Sequence, residues 1–228
     1  MADSDEEQIE ELKAWWAENG NSLVITIVLA LAVVFGYRAW QNSEAEAAEA
    51  ASTLYESISV AVRDAPATAP SAEVLTSLRS LGNQLKTDYP DSTYAHFGAL
   101  HMAKIAADRK EYETAEIELM WMLDNDVDGI LEPVARMRLA LVLVEQDRAD
   151  EALQMLSVDI ELGAHAVSWH ETQGDIYYKM GDNENARDAY QTAVDLLSED
   201  DSPRPMLMAK LQDLPVTPSA EEATQVAE

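Results

Sequence analysis

GDIYYKMGDNENARDAYQTAV, residues Gly174–Val194, is the part of this sequence from which the architecture is most readily inferred. Gly181 separates two segments whose apolar residues recur with helical spacing, so we predict two short helices joined by a tight turn. A small residue, Ala186, lies four positions before Tyr190, and Gly174 lies twelve positions before Ala186. Small residues at these positions are expected where the two helices approach closely, because any larger side chain would push them apart.

Two earlier segments repeat this arrangement, YETAEIELMWML from Tyr112 and ADEALQML from Ala149. Their small residues Ala115 and Ala152 again lie four positions before a larger apolar residue, and the three alanines are 37 and 34 residues apart. Tetratricopeptide repeats have a period of about 34 residues, whereas a plain helical bundle would have short loops without this recurrence. We therefore predict an all-α fold with a tetratricopeptide-repeat-like α-solenoid over residues 91–214.

Helical patterns also flank the repeats. Residues 41–90 are predicted to form leading helices, one ending near Arg63 before Pro66 and Pro70, and one over residues 71–86 with Ser71 as its N-cap. Residues 203–214 are expected to form a helix that caps the array. The last stretch, residues 215–228, is acidic and is predicted to be disordered.

The N-terminal region contains the apolar run LVITIVLALAVVFGY, residues Leu23–Tyr37. An apolar helix from Leu23 to Trp40 would be about 27 Å long, enough to cross a bilayer core. We predict a transmembrane helix over residues 21–40, preceded by an acidic tail over residues 1–20. The anchor residues are Leu23, Val24, Ile25, Ile27, Val28, Leu29, Leu31, Val33, Val34, Phe35, Tyr37 and Trp40.

A buried core helix or a cleavable signal peptide would also contain an apolar run. Aromatic residues on both sides favour a membrane span over a core helix. The acidic residues before the run do not fit the basic n-region of a signal peptide. The expected break before the span is Gly20–Asn21. Charge leaves the orientation open, because Lys13 lies on one side and Arg38 on the other.

The composition limits the classes of partner and chemistry. There are 43 Asp and Glu residues against 15 Lys and Arg, giving a net charge of −28, which argues against nucleic-acid partners. Cysteine is absent, so no disulfide or thiolate chemistry is available.

The sequence also lacks recognisable catalytic or cofactor motifs. Two histidine pairs, His96 with His101 and His165 with His170, are five residues apart, which does not place both imidazoles on one helix face. No phosphate-binding glycine pattern or nucleophile elbow is present. We therefore predict no enzyme activity and no cofactor, with a hydrolase that uses an unrecognised acidic site as a remaining alternative.

The remaining candidate site is a groove lined by the first helix of each repeat. Its apolar middle would suit a segment of another protein, or it would be filled by the chain's own helix over 43–63 or 204–214. The candidate groove residues are Phe97, Leu100, Lys104, Val134, Met137, Leu141, Val144, Ser168, Glu171, Asp175 and Tyr178.

The order of these features resembles the YfgM family, the ancillary subunit of the bacterial SecYEG translocon. The resemblance begins with ELKAWWAENGNSLVITIVLALAVVFGYRAW and continues through RLALVLVEQDRADEALQML at Arg138–Leu156 and the stretch Gly174–Val194. It implies a single-pass inner-membrane protein with a cytoplasmic N-terminus and periplasmic repeats. It also implies association with SecYEG and the chaperone PpiD, and assistance to unfolded exported polypeptides.

The chain departs from the family in its longer acidic C-terminal tail and its low lysine content. A structural scaffold for an envelope assembly or division complex is the alternative function.

Overall fold

A computed structural model of the chain describes residues 2–64, 71–125, 127, 129–198 and 204–215, with side chains from Gln8 onward. The described residues contain helices and no strand, which confirms the predicted all-α fold. The helices are α1 Ala2–Asp64, α2 Ala72–Asp88, α3 Thr93–Asp108, α4 Tyr112–Asp124, α5 Glu132–Glu145, α6 Ala149–Met155, α7 Ala166–Met180, α8 Asn183–Asp195 and α9 Pro205–Asp213. The chain divides into two compact units, Met1–Ser52 and Thr53–Glu228.

The first unit consists of most of α1. Within the described residues, α1 is the one helix that is long and apolar enough to cross a membrane, and none of its most apolar window is buried. The anchor residues predicted from the sequence are all exposed on its surface. An apolar helix surface of this kind is stable in lipid, where every backbone group is bonded within the helix.

The predicted break at Gly20–Asn21 is wrong, because α1 continues through both residues. Asn19 keeps its side chain within the helix by donating from Nδ2 to the Trp15 carbonyl oxygen at 3.2 Å. Gly20 packs against Trp16, so close that an added Cβ would lie 3.0 Å from the indole ring. Compared with alanine, a glycine or an asparagine inside a helix lowers helix stability by only about 1 kcal/mol or less. Neighbouring residues that favour the helix can offset this loss.

The second unit begins within the last part of α1, where Ile58 is fully buried. The helix ends at Asp64, close to the predicted end near Arg63, whereas Pro66 and Pro70 lie outside the described residues. α2 begins as predicted, because the Ser71 side chain accepts a hydrogen bond from the Val74 N–H at 3.3 Å.

Helices α3 to α8 form three successive pairs, α3 with α4, α5 with α6 and α7 with α8. The predicted small residues Ala115, Ala152 and Ala186 lie in the second helices of these pairs and are all buried. Ala103 and Ala140, in the first helices of the first two pairs, are buried as well. The second pair is shortened, because α6 has only seven residues and ends at Met155. A 3-10 turn over Gly163–His165 then leads into α7.

Successive repeats are also joined by ion pairs whose partners are about one repeat apart in sequence. Their separations are 32 residues in three cases and 34 in the fourth: Arg79 with Glu111, Lys86 with Glu118, Glu116 with Arg148, and Glu145 with Lys179. Two of these pairs involve α2. They link α2 to the first repeat at the same sequence separation that links one repeat to the next. Through these pairs α2 occupies, before the first repeat, the position that the second helix of each repeat occupies before the next one.

The end of the array is covered by α9, as predicted for a capping helix. Leu207 and Leu214 are buried in a cluster with Val167 and Tyr190. Arg187 fixes the end of this segment by donating from Nη2 to the carbonyl oxygens of Leu214 and Pro215, at 2.7 and 2.8 Å. The residues predicted to form the disordered tail lie outside the described part of the chain, apart from Pro215.

Candidate functional site

The part of the predicted groove contributed by the first repeat is covered by α1. The Tyr55 ring lies 5.7 Å from the ring of Phe97, and its hydroxyl is 3.2 Å from His101 Nε2. Leu100 is buried in the hydrophobic core. Of the three candidate residues in this repeat, only Lys104 remains exposed.

The part contributed by the third repeat is covered by α9 and by the residue that precedes it, Arg204. Arg204 Nη1 donates to Ser168 Oγ at 3.2 Å. Lys210 Nζ lies 2.9 Å from Glu171 Oε1 and 2.7 Å from Asp175 Oδ1. Three of the four candidates here therefore already have partners within the chain.

The charge of this covered region is balanced. Burial lowers the pKa of Lys210, but hydrogen bonds to Asp175 and Glu171 outweigh it, so the pKa is raised overall and the ammonium stays charged. Tyr190 donates its hydroxyl hydrogen to Asp175 Oδ1 at 2.8 Å. The fourth candidate, Tyr178, is separate from these contacts and is 58% exposed.

The second repeat contributes the most apolar part of the predicted groove. Met137 and Val144 are buried in the core, and Val134 packs against it. Leu141 differs from these three because it is 42% exposed. Since a leucine exposed to this extent is available for contact, Leu141 marks the open part of the surface.

An open cavity of about 430 Å³ lies beside Leu141, between α3, α4 and α5. Volumes of this size are typical of sites that bind small ligands or side chains. Its apolar wall consists of Ala103, Ala107, Leu119, Leu141 and Val142. The cavity contains two of the predicted groove residues, Lys104 and Leu141, and none of its lining residues belongs to α1 or α9.

The cavity also contains four charged side chains, three of which are paired. Lys104 bonds to Asp108, and Glu145 bonds to Lys179 Nζ at 2.7 Å. Hydrogen bonding to Lys179 lowers the pKa of Glu145, which keeps this carboxylate ionised. Arg138 is the fourth, and within the described part of the chain it forms no ion pair or side-chain hydrogen bond.

Two basic groups near the cavity have altered proton affinities. Burial lowers the pKa of His101, and the positive charges of Arg138 and Lys104 lower it further. Partial burial also lowers the pKa of Arg138, although its guanidinium stays protonated because arginine titrates far above neutral pH. The cavity therefore combines an apolar wall with one uncompensated positive charge.

The sequence alternative that the helices over 43–63 or 204–214 fill the groove is confirmed for its first and third repeats, although the contacting residues Tyr55 and Arg204 were not identified. Arg138 was not identified from the sequence. Among the described residues, no group of three His, Asp or Glu side chains could hold a metal ion. What this arrangement can do chemically is to hold side chains of another molecule against its apolar wall.

Comparison with known proteins assigns the chain to a family. Residues 13–216 match the family described as tetratricopeptide repeat-like domain. A protein of Neisseria gonorrhoeae named ancillary SecYEG translocon subunit is 29% identical over 92% of this chain and 97% of its own length. Proteins with the same name from Aggregatibacter actinomycetemcomitans and Escherichia coli are 30% and 28% identical, covering 83% and 84% of this chain and 88% of their own lengths.

The chain gives no significant match to a solved structure. The matched region includes the apolar part of α1 as well as every repeat, so the similarity is not limited to the repeat pattern. These matches confirm the resemblance found in the sequence, and the chain belongs to the tetratricopeptide repeat-like YfgM family of ancillary SecYEG translocon subunits.

Proposed function

We propose that this protein is a membrane-tethered interaction module at the Sec translocon, where it assists newly exported proteins together with the periplasmic chaperone PpiD. The supporting observation is one chain that carries both a candidate membrane span and an open apolar cavity in its repeats. The names of its relatives support the translocon as the site of action. In this function the repeats bind polypeptides and catalyse no reaction.

The proposed location is the inner membrane, crossed once by residues 21–40. The acidic tail of residues 1–20 would be cytoplasmic. Residues 41–90, the repeats of 91–214 and the tail of 215–228 would be periplasmic. A tether of this kind raises the local concentration of the repeats near emerging chains, so even weak contacts can be sufficient.

Cysteine labelling tests this orientation directly, because the natural chain contains no cysteine. Glu10→Cys and Ala45→Cys variants would be treated in intact cells with a thiol reagent that cannot cross the inner membrane. We expect labelling at position 45 and protection at position 10 until the membrane is permeabilised. Labelling at position 10 alone would reverse the proposed topology.

Association with the translocon is tested by purifying the full chain in a mild detergent. We expect SecYEG subunits and PpiD to co-purify in amounts that depend on the repeats, with Leu141→Asp as a variant in the open cavity. Recovery of envelope-synthesis or division proteins without SecYEG would instead support a structural scaffold. The contacts of α9 with Glu171 and Asp175 are the observation that favours this alternative, because they leave less of the groove for clients.

Of the groove residues predicted from the sequence, we retain Lys104, Leu141 and Tyr178 as those available to a partner. All three are exposed, and the first two line the cavity.

A further inference from the structure

Arg138 is unusual among the basic residues of this chain. In a protein with 43 acidic and 15 basic residues, most lysines and arginines are expected to have a carboxylate nearby. Among the lysines and arginines in the described part of the second unit, only Arg138 and Lys110 have side chains without an ion pair or hydrogen bond. Lys110 lies in the exposed turn after α3, whereas Arg138 lines the apolar cavity.

The other charges of the cavity do not compensate Arg138. Asp108 is held by Lys104, and Glu145 by Lys179 and by the hydroxyl of Tyr112 at 3.3 Å. Neither carboxylate lies within 4 Å of the Arg138 guanidinium. Arg138 is exposed in the open cavity, so a segment that covered the apolar wall would itself exclude water from the guanidinium. A carboxylate that reached it would therefore form a stronger bond than one in open water.

The geometry points to a specific kind of occupant. We propose that the cavity between α3 and α5 binds an extended segment of a partner polypeptide that presents an acidic side chain to Arg138 and an adjacent aliphatic side chain to Leu141 and Val142. This inference rests on the proposed function and adds the chemical class of the bound segment. The planar guanidinium can bond both oxygens of a carboxylate, which a lysine at this position could not do equally well.

Charge complementarity selects this partner over others. Polypeptides rich in lysine would be attracted to the chain as a whole, given its net charge of −28, but a basic side chain in this cavity would meet Arg138. An uncharged aliphatic segment would fill the apolar wall and leave the guanidinium partly dehydrated and unpaired, which is unfavourable. A segment with one acidic and one aliphatic side chain would pair with the guanidinium and cover the apolar wall at the same time.

Binding would be measured with the full chain in lipid nanodiscs by fluorescence anisotropy. The two probes are a labelled peptide with the sequence Gly-Leu-Glu-Val-Leu-Gly and a matched peptide with Gln in place of Glu, both with blocked ends. We expect the wild-type chain to bind the Glu peptide about tenfold more tightly, the factor expected for one charge-assisted bond. Arg138→Gln should remove this preference, and Arg138→Lys should restore it only in part.

Arg136→Gln is the matched control, because it removes the same charge from the same helix. Arg136 pairs with Glu132 and does not line the cavity, so this variant should keep the preference for the Glu peptide. Leu141→Asp should weaken the binding of both peptides. Thermal unfolding of each variant shows whether a loss of binding comes from a loss of folding.

Three outcomes would overturn the inference. These are equal affinity of the wild-type chain for both peptides, an undiminished preference in Arg138→Gln, and self-association that depends on Arg138, which would make a second copy the occupant. If the wild-type chain co-purifies with SecYEG but shows no peptide preference, the inference fails and the proposed function stands. If it does not co-purify with SecYEG, the proposed function fails independently of the peptide result.

Discussion

Gly174 and Tyr190 meet so closely that a Cβ added to the glycine would lie 2.4 Å from two carbons of the tyrosine ring. Tyr190 is almost completely buried, and its hydroxyl is held by Asp175. The ring therefore cannot move aside without breaking a hydrogen bond and opening the core between α7 and α8. The absence of a side chain at position 174 sets the distance between these two helices.

We predict that Gly174→Ala destabilises the second unit by about 1–2 kcal/mol. Overpacking of a core typically costs about 1–3 kcal/mol, of which the better helix propensity of alanine returns up to about 1 kcal/mol. For a chain of this size the unfolding midpoint should fall by roughly 5 °C, as measured by circular dichroism at 222 nm.

Two glycines provide graded controls for this substitution. A Cβ at Gly82 would meet only the Met102 side chain, at 3.1 Å, and this flexible side chain can move, so the cost should be smaller. A Cβ at Gly129 would have no neighbour within 4 Å, so Gly129→Ala should leave the midpoint nearly unchanged. Equal effects at positions 174 and 129 would show that the close packing against Tyr190 does not limit stability.

The ion pair between Lys86 and Glu118 should contribute to the stability of the repeats. The two charged atoms are 2.7 Å apart, the side chains are only 13% and 12% exposed, and the ammonium lies 5.7 Å from the centre of the Trp121 ring. Lys86→Met alone would leave a buried carboxylate without a partner, which we expect to cost about 3 kcal/mol. The double variant Lys86→Met/Glu118→Leu should recover much of this loss, because it removes both charges.

A double-mutant cycle in urea measures the coupling, with Lys104 and Asp108 as the comparison pair. That pair is exposed and four residues apart on α3, so its coupling should be below about 1 kcal/mol. If the two cycles gave equal coupling energies, burial of the Lys86–Glu118 pair would not be the source of its strength.

Local sequence patterns were sufficient to predict most of the helices. Ser71 has the side-chain chemistry of an N-cap, and Gly181 adopts the left-handed conformation that ends α7, with φ at 82°. The wrong break at Gly20–Asn21 has a physical reason. Whether these residues interrupt a helix depends on contacts such as that between Gly20 and Trp16, which propensity does not describe.

The candidate groove was less predictable, because repeat periodicity shows which positions face it but not what covers them. Lys210 and Glu171 are 39 residues apart, and Tyr55 and His101 are 46 apart. Contacts at such separations depend on where the flanking helices pack. Arg138 was not identified for the related reason that a missing partner becomes visible only when every nearby carboxylate can be placed.

We predict that α9 stabilises the third repeat through Leu207. This side chain is 1% exposed and packs with Tyr190 and Val167, so Leu207→Ala should cost about 2–5 kcal/mol. Met206, the preceding residue, is 69% exposed, and Met206→Ala should change stability by less than about 0.5 kcal/mol. Hydrogen exchange of α8 amides would localise the effect, and equal protection in the two variants would contradict a stabilising role for α9.

The stability of the protein should also fall between pH 7.5 and 5.5 because of His101. Its ordinary pKa is 6.5, and in the folded chain burial, Arg138 and Lys104 lower it. Between these two pKa values the unfolded chain binds more protons than the folded chain, so stability decreases as the pH falls below about 6.5. The carboxyl groups of Glu111, Glu145 and Glu151 have pKa values lowered from 4.5, so they would contribute only at lower pH.

His101→Gln tests this prediction, since glutamine can still hydrogen-bond to the Tyr55 hydroxyl but does not titrate. The difference in unfolding midpoint between pH 7.5 and 5.5 should be smaller in this variant than in the wild type. Because Arg138 lowers the pKa of His101, the imidazole pKa measured by NMR should rise in Arg138→Gln, and Arg136→Gln should leave it closer to its wild-type value. An unchanged pH dependence in His101→Gln would show that another group causes the loss of stability.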